Sequence, residues 1–182
     1  MVHCVTEAQA KRLVVAIGNR LAEVGLQLHP TKTRIVYCKD GKRRLDYEHT
    51  AFTFLGFTFR ARGARGNGRT FTGFLPAVSK DALNKMSREV RRWRLHLLTG
   101  HALAELARKI NPIVRGWMQY YGAYYRTVLD PLLARINAYL MRWIRRKYQR
   151  LRPFKKAMAG WKRITRQQPR LFAHWAWKTT PW

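Results

Sequence analysis

Between Ala10 and Val24 the apolar positions Ala10, Leu13, Val14, Ile17, Leu21 and Val24 recur at helical intervals, the stripe expected of one face of an α-helix. Thr6 with Gln9 three residues on makes a capping-box start and Gly25 a stop, so the spacing predicts a helix here. The period then shortens. Residues 26–28, a His29-Pro30 turn and the β-branched and aromatic run 35–38, stopped by Asp40-Gly41, predict two short strands. His3 and Cys4 precede the helix as ordinary strand residues. In residues 52–60, FTFLGFTFR, Phe52 and Phe54 share one parity while Phe57 and Phe59 share the other. That pattern predicts a bent strand whose face switches at Leu55-Gly56, as a bulge permits. The stretch 60–68, RARGARGNG, is expected to be a flexible loop, and 70–76 resumes a strand, giving a long hairpin with a basic tip.

From residue 79 the period is helical. Leu83, Met86, Val90, Trp93 and Leu97 repeat at spacings of three and four, with Lys80, Lys85, Arg88, Arg91, Arg92 and Arg94 on the other faces. Leu103, Leu106, Ala107 and Ile110 predict a short helix stopped by Asn111-Pro112, because proline removes an amide donor and crowds the preceding turn. A third helix carries Val114, Trp117, Met118, Tyr121 and Tyr125. Asp130-Pro131 caps a fourth with Leu133, Ile136, Leu140 and Trp143 inside and Arg135, Arg142, Arg145, Arg146 and Lys147 around it. Beyond Pro153 the periodicity weakens, which predicts a short helix and a basic, Trp-rich tail that orders on a partner. The fold class expected is α+β: a helix with antiparallel strands, then an α-helical bundle.

Charge changes the picture. The 182 residues hold 37 Lys and Arg against 9 Asp and Glu, net +28, with 47% hydrophobic positions. So much apolar content argues for a packed core and against a disordered basic tail. Residues 1–78 carry 13 basic and 5 acidic residues, net +8; residues 79–182 carry 24 and 4, net +20. After Asp130 there is no acid at all, and all seven tryptophans, including Trp175, Trp177 and Trp182, lie after residue 79. Solvated helix faces ordinarily mix both signs, so this one-signed surface is expected to meet a polyanion, nucleic acid above all. Two cysteines cannot staple a secreted scaffold, no apolar run is long enough to span a membrane, and no secretory leader pattern is present. A cytoplasmic, nucleic-acid-associated protein without membrane contact is the expectation.

Catalytic constellations are absent from the pattern. The acids include no adjacent pair and no close cluster to hold magnesium for phosphoryl transfer, and His3-Cys4 is too isolated for zinc. The glycines at 63, 66 and 68 fit neither a dinucleotide fingerprint nor a P-loop. No metal, cofactor or catalytic residue is assigned. Arginine suits phosphate because its planar fork meets phosphate oxygens in pairs. Arg62 and Arg65 of the hairpin, Arg88, Arg91 and Arg92, and Arg142, Arg145, Arg146 and Lys147 are accordingly candidate RNA-binding residues. Trp117, Tyr121 and Trp143 sit at core spacing, whereas Tyr120, Tyr124, Trp175 and Trp177 fall off the stripe and serve either as core or as stacking platforms for unpaired bases.

Three segments occur in one order: GLQLHPTKTRIVYCKD (25–40), FTFLGFTFR (52–60) and, after a basic helix, NPIVRGWMQYYGAYYR (111–126). On these the chain resembles the C-terminal half of a group II intron-encoded reverse transcriptase and maturase, over about residues 1–155. The resemblance implies that Lys32 lies near the phosphates of an incoming nucleotide and that Phe54, Leu55 and Gly56 hold a primer end. It implies that Arg115, Trp117, Tyr120, Tyr121 and Gly122 belong to an RNA-contacting thumb. In the family a Tyr-Ala-Asp-Asp loop carrying the metal-binding carboxylates comes just before a strand resembling residues 1–10. The implied protein is therefore truncated past both catalytic aspartates, with Mg2+ a cofactor of the full-length enzyme and not of this chain.

The expected organisation is a C-terminal part of the palm at 1–78, a maturase-specific thumb (domain X) at 79–155 and a basic tail at 156–182. The expected function is to grip group II intron RNA and assist its splicing, with a DNA target or an RNA/DNA hybrid as further partners. The alternative is one piece of an active RNA-directed DNA polymerase, completed by a separate N-terminal half. A third reading is a cationic protein that coats nucleic acid without selectivity.

Overall fold

The protein is described from a computed structural model, which covers residues 1–181 except Arg44 and Asn67; Asn67 of the hairpin tip and the tail residue Trp182 lie outside the described residues. It is α+β, as the pattern predicts, with a three-stranded antiparallel sheet of order β1-β2-β3 and five α-helices among the described residues. The chain forms two compact units, Met1–Phe52 with Arg60–Phe74 and Thr53–Phe59 with Leu75–Trp182.

In the first unit α1 spans Glu7–Glu23, and Thr6 Oγ1 accepts from the Gln9 amide at 3.2 Å while the Gln9 side chain reaches back to the Val5 amide. The predicted strands at 26–28 and 35–38 do not form, and residues 1–5 are not a strand either. A strand exists only through its ladder, and single bonds replace one here: Tyr37 N–H to the His49 carbonyl at 2.8 Å and Gly41 N–H to the Thr72 carbonyl at 3.0 Å. The turn signals are realised. His29 O accepts from the amides of Lys32 and Thr33, and Asp40 Oδ1 accepts from those of Arg43 and Lys42, bonds that hold the Asp40 carboxyl below the usual carboxylate range. Every buried residue among those described lies at Ala77 or later, so the apolar stripe of α1 remains half-buried or exposed.

The strands are β1 (Ala51–Phe54), β2 (Phe57–Gly66) and β3 (Arg69–Val78). The predicted bulge at Leu55-Gly56 is instead a two-residue hairpin turn with positive φ at both residues, +48° and +79°. Such a turn sets Phe54 opposite Phe57 and Thr53 opposite Thr58, whose hydroxyls lie 3.1 Å apart. The parity change is thus the mirror symmetry of a hairpin. Residues 60–66, expected to be loop, belong to β2, because pairing with a neighbouring strand outweighs the weak strand preference of Arg and Gly.

In the second unit α2 (Lys80–Arg92) is capped by Ser79, whose Oγ accepts from the Ala82 amide at 3.1 Å. Ala82, Met86, Val90 and Trp93 are buried, but the helix ends before Leu97. Arg94 takes a left-handed conformation, so Leu95 enters the core and Leu97, predicted inside, is exposed. The two helices predicted on either side of Asn111-Pro112 are one, α3 (Leu103–Tyr121), with exposed Pro112 in its interior. Leu106, Ala107, Ile110 and Val114 form one buried face across the proline, and that burial outweighs the lost backbone bond. Tyr125 is left-handed and outside the helix. Asp130 and Pro131 open α4 (Asp130–Lys147) as its first helical residues, and the N-cap position falls to Leu129, which makes no side-chain cap bond. Leu133, Ile136, Leu140 and Trp143 are buried as expected.

The segment expected to order on a partner is already folded. The last helix, α5 (Phe154–Gln167), buries Ala157, Gly160 and Trp161, and Phe172, His174 and Trp175 follow it into the same core. Two buried asparagines hold this stretch. Asn111 bonds the Leu171 carbonyl and the Ala173 amide, and Asn137 accepts from Trp175 Nε1 and the His174 ring while donating to the carbonyls of Lys178 and Thr180. Apolar periodicity carries no sign of such anchors.

Candidate nucleic-acid interface

The turn at Leu55-Gly56 joins two helices of its own unit. Gly56 O accepts from the Ser79 amide at 2.8 Å, so the residue that caps α2 also holds the hairpin. The Tyr120 hydroxyl, at the end of α3, donates to the Leu55 carbonyl at 2.9 Å. The Phe57 ring meets Tyr120, Tyr121 and Tyr124 at centroid distances of 5.3, 5.4 and 5.8 Å. Gly56 is required twice over: its φ is +79°, and a Cβ there would meet the Tyr121 hydroxyl oxygen at 2.9 Å. Burial, then the neighbouring Tyr120, pushes the Tyr121 phenol up. Phe54, Leu55, Tyr120 and Tyr124 nevertheless remain 49–67% exposed, which leaves apolar faces open beside a fixed backbone.

The resemblance put Phe54, Leu55 and Gly56 in one segment and Tyr120 and Tyr121 in another, with Tyr124 off the helical stripe, and folding brings these residues together. Phe57 is the anchor that sequence reasoning passed over; its signal is an aromatic residue directly after a glycine turn. Of the candidate stacking residues, Tyr120 and Tyr124 are exposed, while Trp175 is buried with its indole N–H on Asn137 and has no free face. Trp177 is half-buried, with the Arg126 guanidinium 5.4 Å from its ring centroid. Trp117 is half-buried too and stacks on buried Trp93 at 5.6 Å with planes 10° apart.

The candidate basic residues differ in how much of their charge is available. Lys32, in the turn closed on His29, and Arg65, near the hairpin tip, are exposed in the first unit, where Arg62 is half-buried. Arg88, Arg91 and Arg92 of α2 and Arg115 of α3 are exposed, with Glu89 3.7 Å from Arg92 and also accepting from Trp93 Nε1. On α4, Arg142 and Arg146 are exposed. Arg145 instead donates to the Arg152 carbonyl, and Lys147 donates to the His101 carbonyl with its ammonium 5.0 Å from the Trp143 ring centroid. Among the described residues no group of three or more His, Cys, Asp or Glu side chains is placed to hold a metal ion, and no helix is long and apolar enough to cross a membrane.

Residues 83–164, from the second turn of α2 into α5, match the family described as Group II intron, maturase-specific domain. This part of the chain is a group II intron maturase-specific domain. The match begins after the hairpin and takes in α3, α4 and most of α5. The maturase-specific domain thus carries Arg88, Arg91, Arg92, Arg115, Tyr120, Tyr124, Arg142, Arg145, Arg146 and Lys147. Its presence implies group II intron maturase function. No curated protein and no solved structure matches the chain.

Proposed function

We propose that the protein binds group II intron RNA and assists its folding for splicing, with the reaction chemistry supplied by the RNA. The observation that carries this reading is the maturase-specific domain, residues 83–164, in a segment where basic residues outnumber acids 24 to 4. Arginines on α2, α3 and α4 contact phosphates and release counterions, and Tyr120 and Tyr124 stack on unpaired bases beside the Leu55-Gly56 turn. In this proposal residues 1–78 are the end of a polymerase palm, in which Lys32 faces nucleotide phosphates and Phe54, Leu55 and Gly56 touch a primer end. Residues 79–155 are the thumb, and 156–182 a basic extension of it.

The test is filter binding of a transcribed group II intron and of a random duplex of equal length at two salt concentrations. Selective retention of the intron, weakening steeply with salt, is expected; equal affinity for both RNAs overturns the maturase reading and leaves only a nonselective cationic coat.

A second reading is favoured by the lack of any buried residue among those described in the first unit. The half-exposed stripe of α1 suits a complementing N-terminal half, with which the chain makes an RNA-directed DNA polymerase that uses Mg2+ on carboxylates outside this sequence. Primer extension separates the two. The chain alone is expected to give no Mg2+-dependent synthesis, and synthesis that appears on adding a separately expressed N-terminal half establishes the second reading.

A further inference from the structure

The turn after α2 is fastened to the last half of α4. Trp143 Nε1 donates to the Leu98 carbonyl at 2.7 Å, Lys147 Nζ donates to the His101 carbonyl, and His96 stacks on Tyr139 with centroids 5.4 Å apart and planes at 25°. Arg142 lies with its guanidinium carbon 5.4 Å from the centroid of that same Tyr139. Arg94 opens the turn in a left-handed conformation, φ +45°, which a non-glycine residue adopts at a cost unless its surroundings impose it. Arg146 follows Arg142 by one helical turn on α4.

The charges here have no counterweight. Arg94, Arg142 and Arg146 are exposed and none pairs with a carboxylate among the described residues; the ion pairs nearest in sequence belong to Glu89 and Arg92. His96 Nδ1 is buried without a hydrogen-bond partner. Arg94 heads the turn two residues before His96, Arg142 lies on the ring that His96 stacks against, and Arg146 is one turn further along α4. Burial, then Arg146, Arg142 and Arg94, pushes the His96 imidazolium below the ordinary histidine range. Gathering three guanidiniums costs self-repulsion, and an oxyanion between them removes it. Arginine forks match phosphate oxygens, and Tyr139 holds Arg142 through its ring face.

We propose that Arg94, Arg142 and Arg146, gathered round the His96–Tyr139 stack, form a discrete site for one phosphate group of the bound RNA chain. The site deepens the RNA-binding reading and rests on it for the phosphate's source. Arg94, His96 and Tyr139 are assigned by the tertiary arrangement alone, since helical spacing from Leu83 to Leu97 runs through the turn that creates the site. Docked phosphate offsets the three arginine charges facing His96 from the turn and from α4, so the ring takes up a proton more readily in the complex and RNA binding strengthens as pH falls below the ordinary histidine range.

The test is NMR of the full chain with inorganic phosphate, following the ring resonance that disappears in His96→Gln. Phosphate is expected to shift that resonance and to raise its titration midpoint, and Arg142→Gln/Arg146→Gln is expected to abolish both effects. Arg135→Gln, an exposed arginine also on α4, is expected to leave them intact. A silent His96, or a response equal in the Arg142/Arg146 double variant and in wild type, overturns the site. In RNA filter binding, the Arg94→Gln/Arg142→Gln/Arg146→Gln triple variant should show a slope of log affinity against log salt lower than that of wild type by about 0.7 to 0.9, the contribution of one phosphate. An unchanged slope overturns the assignment to RNA phosphate. Wild-type protein that responds to phosphate but does not discriminate intron RNA rejects the maturase reading while the anion site stands.

Discussion

The Tyr120 hydroxyl and the Leu55 carbonyl, 65 positions apart in sequence, are 2.9 Å apart in the fold. Removing the hydroxyl in Tyr120→Phe should cost about 0.5–1.5 kcal/mol, the usual net worth of a neutral hydrogen bond. Gly56→Ala should cost more. A left-handed alanine carries about 1–2 kcal/mol of backbone strain, and its Cβ would also press on Tyr121. Gly68, φ +74° with open space around it, is the control that carries strain without the clash. Urea unfolding of the three variants orders them, and a Gly56→Ala midpoint no lower than that of Gly68→Ala contradicts the packing of the turn against Tyr121.

Asn137 makes four hydrogen bonds to Trp175, His174, Lys178 and Thr180. Asn137→Ala leaves buried donors and carbonyls unpaired, so a loss of about 3 kcal/mol or more is expected. Hydrogen exchange should show the 171–181 stretch opening first. Loss of RNA affinity without any change in exchange there would mean that the asparagine acts at the interface and not in the core.

His174 gives stability a pH dependence. Its burial pushes the ring down to about 3 from an ordinary 6.5, so the native state stays neutral while the unfolded chain protonates below 6.5. Stability is therefore complete above that value and declines as pH falls towards 3, by up to about 1.4 kcal/mol per pH unit. His96 titrates in the same direction. In denaturant melts between pH 7 and pH 4.5 the decline should be shallower in His174→Gln, and a slope identical to wild type would show that the ring is not held neutral.

Pro112 tests how far packing overrides propensity. Proline inside a helix costs about 3 kcal/mol, partly offset by its smaller unfolded-state entropy. Pro112→Ala restores the amide to the ladder of α3 on an exposed position, so a stabilisation of about 1–2 kcal/mol is expected. Destabilisation would show that the helix geometry depends on the proline.

Tyr124 and Trp175 separate stacking from structure. Tyr124→Ala should weaken binding of a single-stranded RNA by about 1–3 kcal/mol and leave the thermal midpoint nearly unchanged. Trp175→Ala should instead lower the midpoint by many degrees, since the indole is buried in the core and bonded to Asn137. Paired melting curves and filter binding distinguish them.

Local pattern and composition were enough for the capped helix α1, the turns at His29 and Asp40, the buried stripes of α2 and α4, the excess of positive charge and the family motifs of the thumb. These were legible because helical period, caps and net charge are carried by neighbours along the chain. Tertiary structure alone decided the rest. It merged two expected helices across Pro112, because a continuous buried face is worth more than one backbone bond. It left 26–28 and 35–38 without a ladder, because a strand is defined by its partner. It drew Trp175 inward through Asn137, set Tyr120 on Leu55, and turned Arg94 and His96 back onto α4. The last three join residues tens of positions apart, and periodicity records which face a residue occupies without naming what will cover it.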